Sequence, residues 1–509
     1  MNTIIAYDLG TGGCKASIYS EEGSCLGKVF EGYPTLYPYP GWHEQRPEDW
    51  WEAVVKSTRK LLEPGNFQKE DVRCIALSGQ SLAVIPLNAE GELLRETIPI
   101  WSDTRTQDQT QHFFSIIDET EWYKTTGNGF SRECYSLFKI MWYRDNEPDL
   151  YKKTAIILGS KDYINYKLTG KIATDHSYGS GTGAYNLEAG TYEKYFLEAA
   201  EIPGYFFPEL RMSTDSLGKI TKQAAEILGL SPETEVICGG VDNSCMALGA
   251  GNIEEGKAYL SLGSSAWIAV SSENPVISTE IKPYVFAHVL PGMYTSATSI
   301  FSAGTSVSWL KDTLCADIKK KAEESGKDPY DLLIAKASQS PIGANRLFFN
   351  PSLSGGSAAY LEPGIRGAFL GLDLKHDQSD IIRAVLEGIA MDLRIMFSKL
   401  EKLCSVPGDI LIVGGGSKSK FWRQIFADIF NRSFCKTNID QDAASLGAAA
   451  LGAVGAGIWQ DFSPIANIHQ IEDKNIPDPV SSQKYRNILD VYQATWNPLG
   501  QISKLMGNL

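Results

Sequence analysis

The chain holds no Cys-x-x-Cys pair, and its nine cysteines lie singly at positions 14, 25, 74, 134, 238, 245, 315, 404 and 435. An odd count without paired spacing suggests neither a disulfide framework nor a cysteine zinc site, and fits reduced thiols in a cytoplasm. Histidine is scarce: six residues, dispersed between positions 43 and 469, read as surface or packing residues rather than metal ligands. No apolar run approaches the roughly 20 residues needed to cross a bilayer, and the N-terminus enters a strand-like run without the basic and apolar regions of a leader. A basic surplus is missing too. Lys and Arg number 47 against 61 Asp and Glu, for a net charge of −14. Bulk attraction to nucleic acid or an anionic membrane is thereby excluded, and any phosphate must be bound locally.

What is present is a glycine hairpin used twice. Residues 3–19 read TIIAYDLGTGGCKASIY. Ile4, Ile5, Ala6 and Tyr7 form a short β-prone run, and Gly10, Gly12 and Gly13 allow a tight reversal into a second strand. A glycine tip exposes successive backbone N–H groups that can cradle an anion, and Asp8, Thr11 and Lys15 add a carboxylate, a hydroxyl and an ammonium. That set suits phosphate with a metal ion; a plain turn is the alternative. Residues 258–270, AYLSLGSSAWIAV, repeat the plan, with Gly263, Ser264 and Ser265 at the tip. Two such hairpins half a chain apart imply two similar domains, 1–250 and 251–509, offering their tips to a shared cleft. With 509 residues and 43% hydrophobic content, the chain can fill both cores.

Other stretches carry candidate chemistry. A buried-type strand at 72–78 ends in Gly79-Gln80-Ser81, and ligands gather at the carboxyl ends of strands, so Gln80 is placed to meet a hydroxyl. Trp101, Asp103 and Arg105 alternate; an extended segment would present an aromatic face, a carboxylate and a guanidinium to one polyol, while a salt-bridged loop anchored by a core Trp accounts for them equally. Asp242 sits where a glycine turn opens a helix, a position at which a carboxylate caps free N–H groups. Gly304 precedes a helix whose N-terminus is a ready anion site, with a cap by Ser302 or Thr305 as the duller reading. Gly414, Gly415 and Gly416 follow a short strand and would admit a planar base or ribose, with Ser417 and Lys420 nearby.

Taken in order over residues 4–457, DLGTGGCK, GGVDN, LGSS, Arg366-Gly367 with Gly371-Leu372, and GGGSKSKFWRQ resemble the FGGY carbohydrate kinases, the xylulokinase branch most of all. The resemblance implies an α/β fold of two ribonuclease H-like domains of the actin/hexokinase type, with a ligand cleft between them. It implies Asp242 as the catalytic aspartate, with Asn243, Gln80, Trp101, Asp103 and Arg105 on the sugar and Asp8 holding Mg²⁺ directly or through water. Thr11, Gly12, Lys15, Gly263, Ser264, Ser265 and Gly304 would surround the phosphates of ATP, and Gly415, Gly416, Ser417 and Lys420 would support the nucleoside. Leu168-Thr169-Gly170, then Asp175 and Ser177, also matches, with a structural role implied.

The sequence departs from the family at three places. Gln80 is followed by Ser81 and Leu82 where xylulokinases usually carry Met-His, Gly355-Gly356-Ser357 replaces Gly-Glu-Arg, and Arg46 interrupts Glu-Gln-Asp-Pro. The expected activity is ATP-dependent phosphorylation of a small sugar, a ketopentose first and a polyol (glycerol or erythritol) or aldonate second. A nucleotide-dependent sugar sensor and a chaperone-type ATPase are the readings from other classes. The expected partners are a small sugar and ATP, with no nucleic acid or membrane, and a homodimer is compatible with the chain.

Overall fold

The strand Thr3–Gly10 pairs antiparallel with Gly13–Ser20, which sets Asp8 opposite Lys15, and parallel with Val72–Gly79, which sets Asp8 beside Ser78. Its first five residues are all buried, as expected of a strand covered on both faces, and this explains the continuous apolar run. These contacts come from a computed structural model that describes residues 2–63, 67–356 and 364–507. The first sheet orders its strands Ser216–Lys219, Glu235–Val241, Val72–Gly79, Thr3–Gly10, Gly13–Ser20 and Cys25–Gly32. The second orders Tyr284–Ala287, Tyr294–Ile300, Ala266–Ser272, Ala258–Leu262, Ile410–Val413, Phe434–Thr437 and Ile471–Asn475. In both sheets an antiparallel hairpin is followed by two parallel strands and closed by an antiparallel edge strand. The sequence echo is therefore a structural duplication.

Equivalent helices follow the equivalent parallel strands, and they cross. Asp242–Gly249 meets Ala443–Gly455 so closely that a Cβ on Gly249 would lie 1.8 Å from the Ala443 carbonyl oxygen, and one on Gly447 would lie 1.9 Å from that of Cys245. Only glycine permits this approach of two backbones. The second of these helices also lies on the first sheet, where Cys74 Sγ donates to the Gly452 carbonyl at 3.3 Å. Its small residues thus join the two halves at the base of the cleft.

Between the strands of the first half lies an aromatic layer in which Phe113, Trp122, Tyr135, Phe138 and Phe196 share one core. The helical pattern expected over 107–170 is interrupted by a strand, Ile156–Leu158, that pairs with Ile85–Leu87. Helix Ser160–Thr169 stops at Gly170, whose φ of 70° is the left-handed cap foreseen from sequence. In the second half the long helix Gln378–Leu400 backs the sheet, and Tyr485, Tyr492, Trp496 and Leu499 of the terminal helices complete its core. The cysteines form no disulfide, and among the described residues no helix is long and apolar enough to cross a membrane. Ser357, one of the departures noted above, lies outside the described residues.

Candidate active site

Asp242 is the first residue of its helix, and its Oδ1 accepts the Asn243 backbone N–H at 2.8 Å. Burial raises its carboxyl to about 7, and the neighbouring Asp8 pushes in the same direction. Asp8 is raised as well, by burial first; Lys15 and a 3.0 Å hydrogen bond from Ser78 Oγ oppose the shift. Two carboxylates thus repel one another at the mouth of the first hairpin. Such a pair suits Mg²⁺, which binds through one or two carboxylates and otherwise through phosphate oxygens and water. No larger cluster of His, Cys, Asp and Glu able to hold a metal exists among the described residues.

The hairpin tip is held from behind by Trp101 and by Gln45, to which the sequence assigns no role. Trp101 Nε1 donates to Thr11 Oγ1 at 2.8 Å, while Gln45 Nε2 donates to the Thr11 carbonyl at 2.7 Å. Gln45 Oε1 in turn accepts from Trp50 Nε1 and from Gln80 Nε2. The Glu44-Gln45 stretch was flagged only by its resemblance to a family pattern; nothing local in the sequence says that Gln45 reaches the hairpin. Gly12 stays open, with space where a Cβ would stand.

Several sequence expectations need correction. Gln80 is 1% exposed and spends its amide N–H on Gln45, so Ser81 and Leu82 enter the cavity in its place. The alternation of Trp101, Asp103 and Arg105 does not place them on one side, because the strand ends at Pro99 and the chain turns. Trp101 faces the cavity, but Asp103 and Arg105 are fully buried and paired with each other. Arg105 also pairs with Glu44 at 2.6 Å and lies 3.7 Å from the ring centre of Trp42 and 4.9 Å from that of Trp142. Its Nε and Nη2 bond carboxylates inside the protein, while its buried Nη1 has no partner. His43 and Ser102 line the cavity instead, bonded to each other at 2.7 Å. Asn243 also lines it, and its buried Oδ1 has no protein partner, leaving an acceptor free for a ligand hydroxyl.

On the opposite wall Ser265 lines the same cavity. The N-terminus of the helix Gly304–Thr313 does not offer an anion site: the N–H groups of Ala303, Gly304 and Thr305 donate to the carbonyls of Gly263 and Ser264, and those of Ser306 and Val307 to Ala303. Gly304 therefore splints the second hairpin, leaving the amides of Ser264 and Ser265 as the tip's own. Gly416 rests on Leu262 at the end of the hairpin strand, which keeps the glycine run of 414–416 against the second tip. Ser417 is buried, with its hydroxyl bonded to the Gly414 carbonyl at 2.7 Å, and Lys420 is exposed toward Asp473 at 3.4 Å. Both support the turn, without a hydroxyl or ammonium aimed inward. Lys15 crosses the cleft, donating to the Gln441 carbonyl and pairing with Asp442 at 3.4 Å.

One cavity of about 690 Å³ lies between the two hairpins, bounded by Thr11, Trp101 and Asp242 on one side and Ser261, Ser265 and Trp267 on the other. Known proteins resemble the chain over nearly its whole length. The chain is 30% identical to the xylulose kinase of Bacillus subtilis over 499 residues, which is 97% of this chain and 96% of that one. It is 27% identical to the gluconokinase of the same organism, over 96% and 94% of the two chains. The crystal structure of ligand-bound xylulose kinase from Lactobacillus acidophilus superposes with a TM-score of 0.89 at 27% identity, covering 98% of each chain. The models of the N-terminal and C-terminal domains of the FGGY family of carbohydrate kinases match residues 3–249 and 258–456. With both halves matched, the chain belongs to the FGGY family of carbohydrate kinases.

Proposed function

We propose that the protein transfers the terminal phosphoryl group of ATP to a hydroxyl of a neutral ketose, a ketopentose of the xylulose kind first, with Asp242 orienting the acceptor hydroxyl and taking its proton. The observation that carries this reading is the position of Asp242, in a cavity bounded by both glycine hairpins and beside Asp8. Phosphoryl transfer proceeds through a loose transition state, so catalysis rests on positioning and charge stabilisation, and a base whose proton leaves late need not be strong. Asn243 Oδ1 and the hydroxyls of Ser81, Ser102 and Thr104 supply acceptors and donors for the sugar. The open tips at Thr11, Gly12, Ser264 and Ser265 receive the phosphates. Asp8 would hold Mg²⁺, which when bound neutralises charge on the phosphate oxygens.

Among the described residues lining the cavity there is no lysine or arginine. An aldonate would bring its carboxylate there without a cationic partner, a costly burial, so the neutral sugar is favoured. The relatives named xylulose kinase agree with this choice, whereas those named gluconokinase do not. The test is ADP release across a panel of ketopentoses, ketohexoses, glycerol, erythritol and aldonates, with D242N in parallel. ADP release that depends on a ketose and vanishes in D242N is expected. Sugar-independent ATP hydrolysis would point to a chaperone-type ATPase, and sugar-dependent nucleotide binding without turnover would point to a sensor.

A further inference from the structure

We propose that the acceptor carries an apolar, unhydroxylated end, seated on an aromatic wall of the cavity, so that the preferred substrate is a deoxy- or alkyl-ended ketose. This inference rests on the kinase reading above and narrows it. Phe130 is the hub of the wall, with its ring centre 6.1 Å from that of Trp101, 5.5 Å from Tyr284 and 5.5 Å from Phe301. The wall joins the two halves, because Phe130 belongs to the first and Tyr284 and Phe301 to the second. Its hydroxyls face elsewhere. Tyr284 shares its hydrogen bond with Ser299 Oγ at 3.0 Å, and the Tyr135 hydroxyl accepts the Phe130 backbone N–H at 2.9 Å. The rings of Phe130, Phe301 and Trp101 therefore offer carbon to a ligand, flanked by the hydroxyls of Ser131 and Ser299.

Leu82 extends that surface from the sugar loop. It stands in the left-handed region with φ of 62°, a conformation unfavourable to a bulky side chain. The buried Lys139 holds it there, donating to the Leu82 carbonyl at 3.1 Å and to the Ile100 carbonyl at 2.6 Å. Leu82 is 5% exposed, so most of its side chain packs in the aromatic core of the first half, and the part that lines the cavity adds carbon to the wall. A hydroxylated end turned against these rings would forgo the hydrogen bonds that it makes in water. An alkyl end fills the same space without that loss.

The experiment compares a ketopentose with two analogues in which the hydroxymethyl group remote from the phosphorylated hydroxyl is replaced by methyl or by a longer alkyl group. Turnover is read by ADP release, and binding by calorimetry with a non-hydrolysable ATP analogue. We expect kcat/KM and affinity to favour an alkyl-ended ketose by about tenfold or more. Leu82→Asn, whose side chain tolerates the left-handed region and brings a polar group, is expected to reduce that preference by about tenfold. Equal use of the three ketoses, or preference for the hydroxylated parent, overturns this inference and leaves the kinase reading intact. An unchanged preference in L82N overturns the assignment to this wall. Absence of turnover with every ketose overturns the kinase reading itself.

Discussion

Ser177 Oγ accepts the backbone N–H of Val241 at 3.0 Å, one residue before Asp242. The same hydroxyl donates to Asp175, which also accepts Ser213 Oγ at 2.8 Å and pairs with the buried Lys161 at 3.0 Å. A buried chain of charge and hydroxyl thus fixes the turn from which Asp242 projects. Ser177→Ala cuts that chain next to the base without touching the substrate. We expect kcat to fall about tenfold, the equivalent of about 1.4 kcal/mol, with the KM for sugar held within about twofold. A fall in melting temperature with kcat unchanged would reduce Ser177 to a structural role.

How much of this was legible in the sequence depends on range. The hairpins could be read because Asp8, the glycines and Lys15 act within a dozen residues, and their repetition at Gly263 exposed the duplication. Asp242 was legible locally only as the opener of a helix after a glycine turn; its assignment as the base came from the resemblance of GGVDN to the family pattern. Failures came where a side chain's surroundings are assembled from afar. Asp103 and Arg105 look like ligand groups until Glu44, Trp42 and Trp142 close on them. Gly304 looks like an anion site until Gly263 and Ser264 take its first amides. The wall around Phe130 draws on segments near residues 82, 101, 130, 284 and 301, and no periodicity links them. The edge strand Ile471–Asn475 escaped because it is largely exposed and carries charges, as edges do.

The carboxyl of Asp242, raised to about 7, makes stability depend on pH. Its folded value exceeds its unfolded one, so the fold favours the neutral acid. That contribution is complete below the ordinary aspartate range and is lost as pH rises through about 7. In magnesium-free buffer at pH 8, D242N should therefore melt about 3 °C above the parent, and the gap should narrow toward pH 5. Asp8→Asn should narrow it too, by removing the repelling partner. For catalysis the sign is opposite, and kcat/KM should fall as pH drops below about 7 because the base is protonated. A parent protein that is more stable than D242N at pH 8 would refute the buried charge.

Arg105 lies between two tryptophans and two carboxylates, with no exposed side-chain surface. Lysine keeps the charge but loses the planar fork and the stacking on Trp42. Arg105→Lys should therefore lower the melting temperature by several degrees, an effect of about 2 kcal/mol, while the KM for sugar moves no more than about threefold where the variant is folded. A large rise in KM at unchanged stability would return Arg105 to the sugar, as its sequence position first suggested.

Lys15 is held in the structure by one carbonyl and one carboxylate. Its ammonium meets the Gln441 carbonyl and lies 3.4 Å from Asp442, which also pairs with Lys28 at 2.8 Å. On the reading proposed above, the phosphates of ATP reach the first hairpin and must draw Lys15 away from Asp442 or bind beside that carboxylate. Both arrangements place a fixed negative charge against the nucleotide. Asp442→Asn removes it while keeping the side chain's shape, so ATP should bind about threefold to tenfold more tightly at low ionic strength. The gain should shrink in 0.5 M salt, as expected for a partly exposed charge within a Debye length. Lys15→Ala should act the other way and weaken ATP. Nucleotide titrations of the three proteins at two salt concentrations decide the matter. Weaker ATP binding by D442N would mean that Asp442 instead holds Lys15 in the pose the phosphates need.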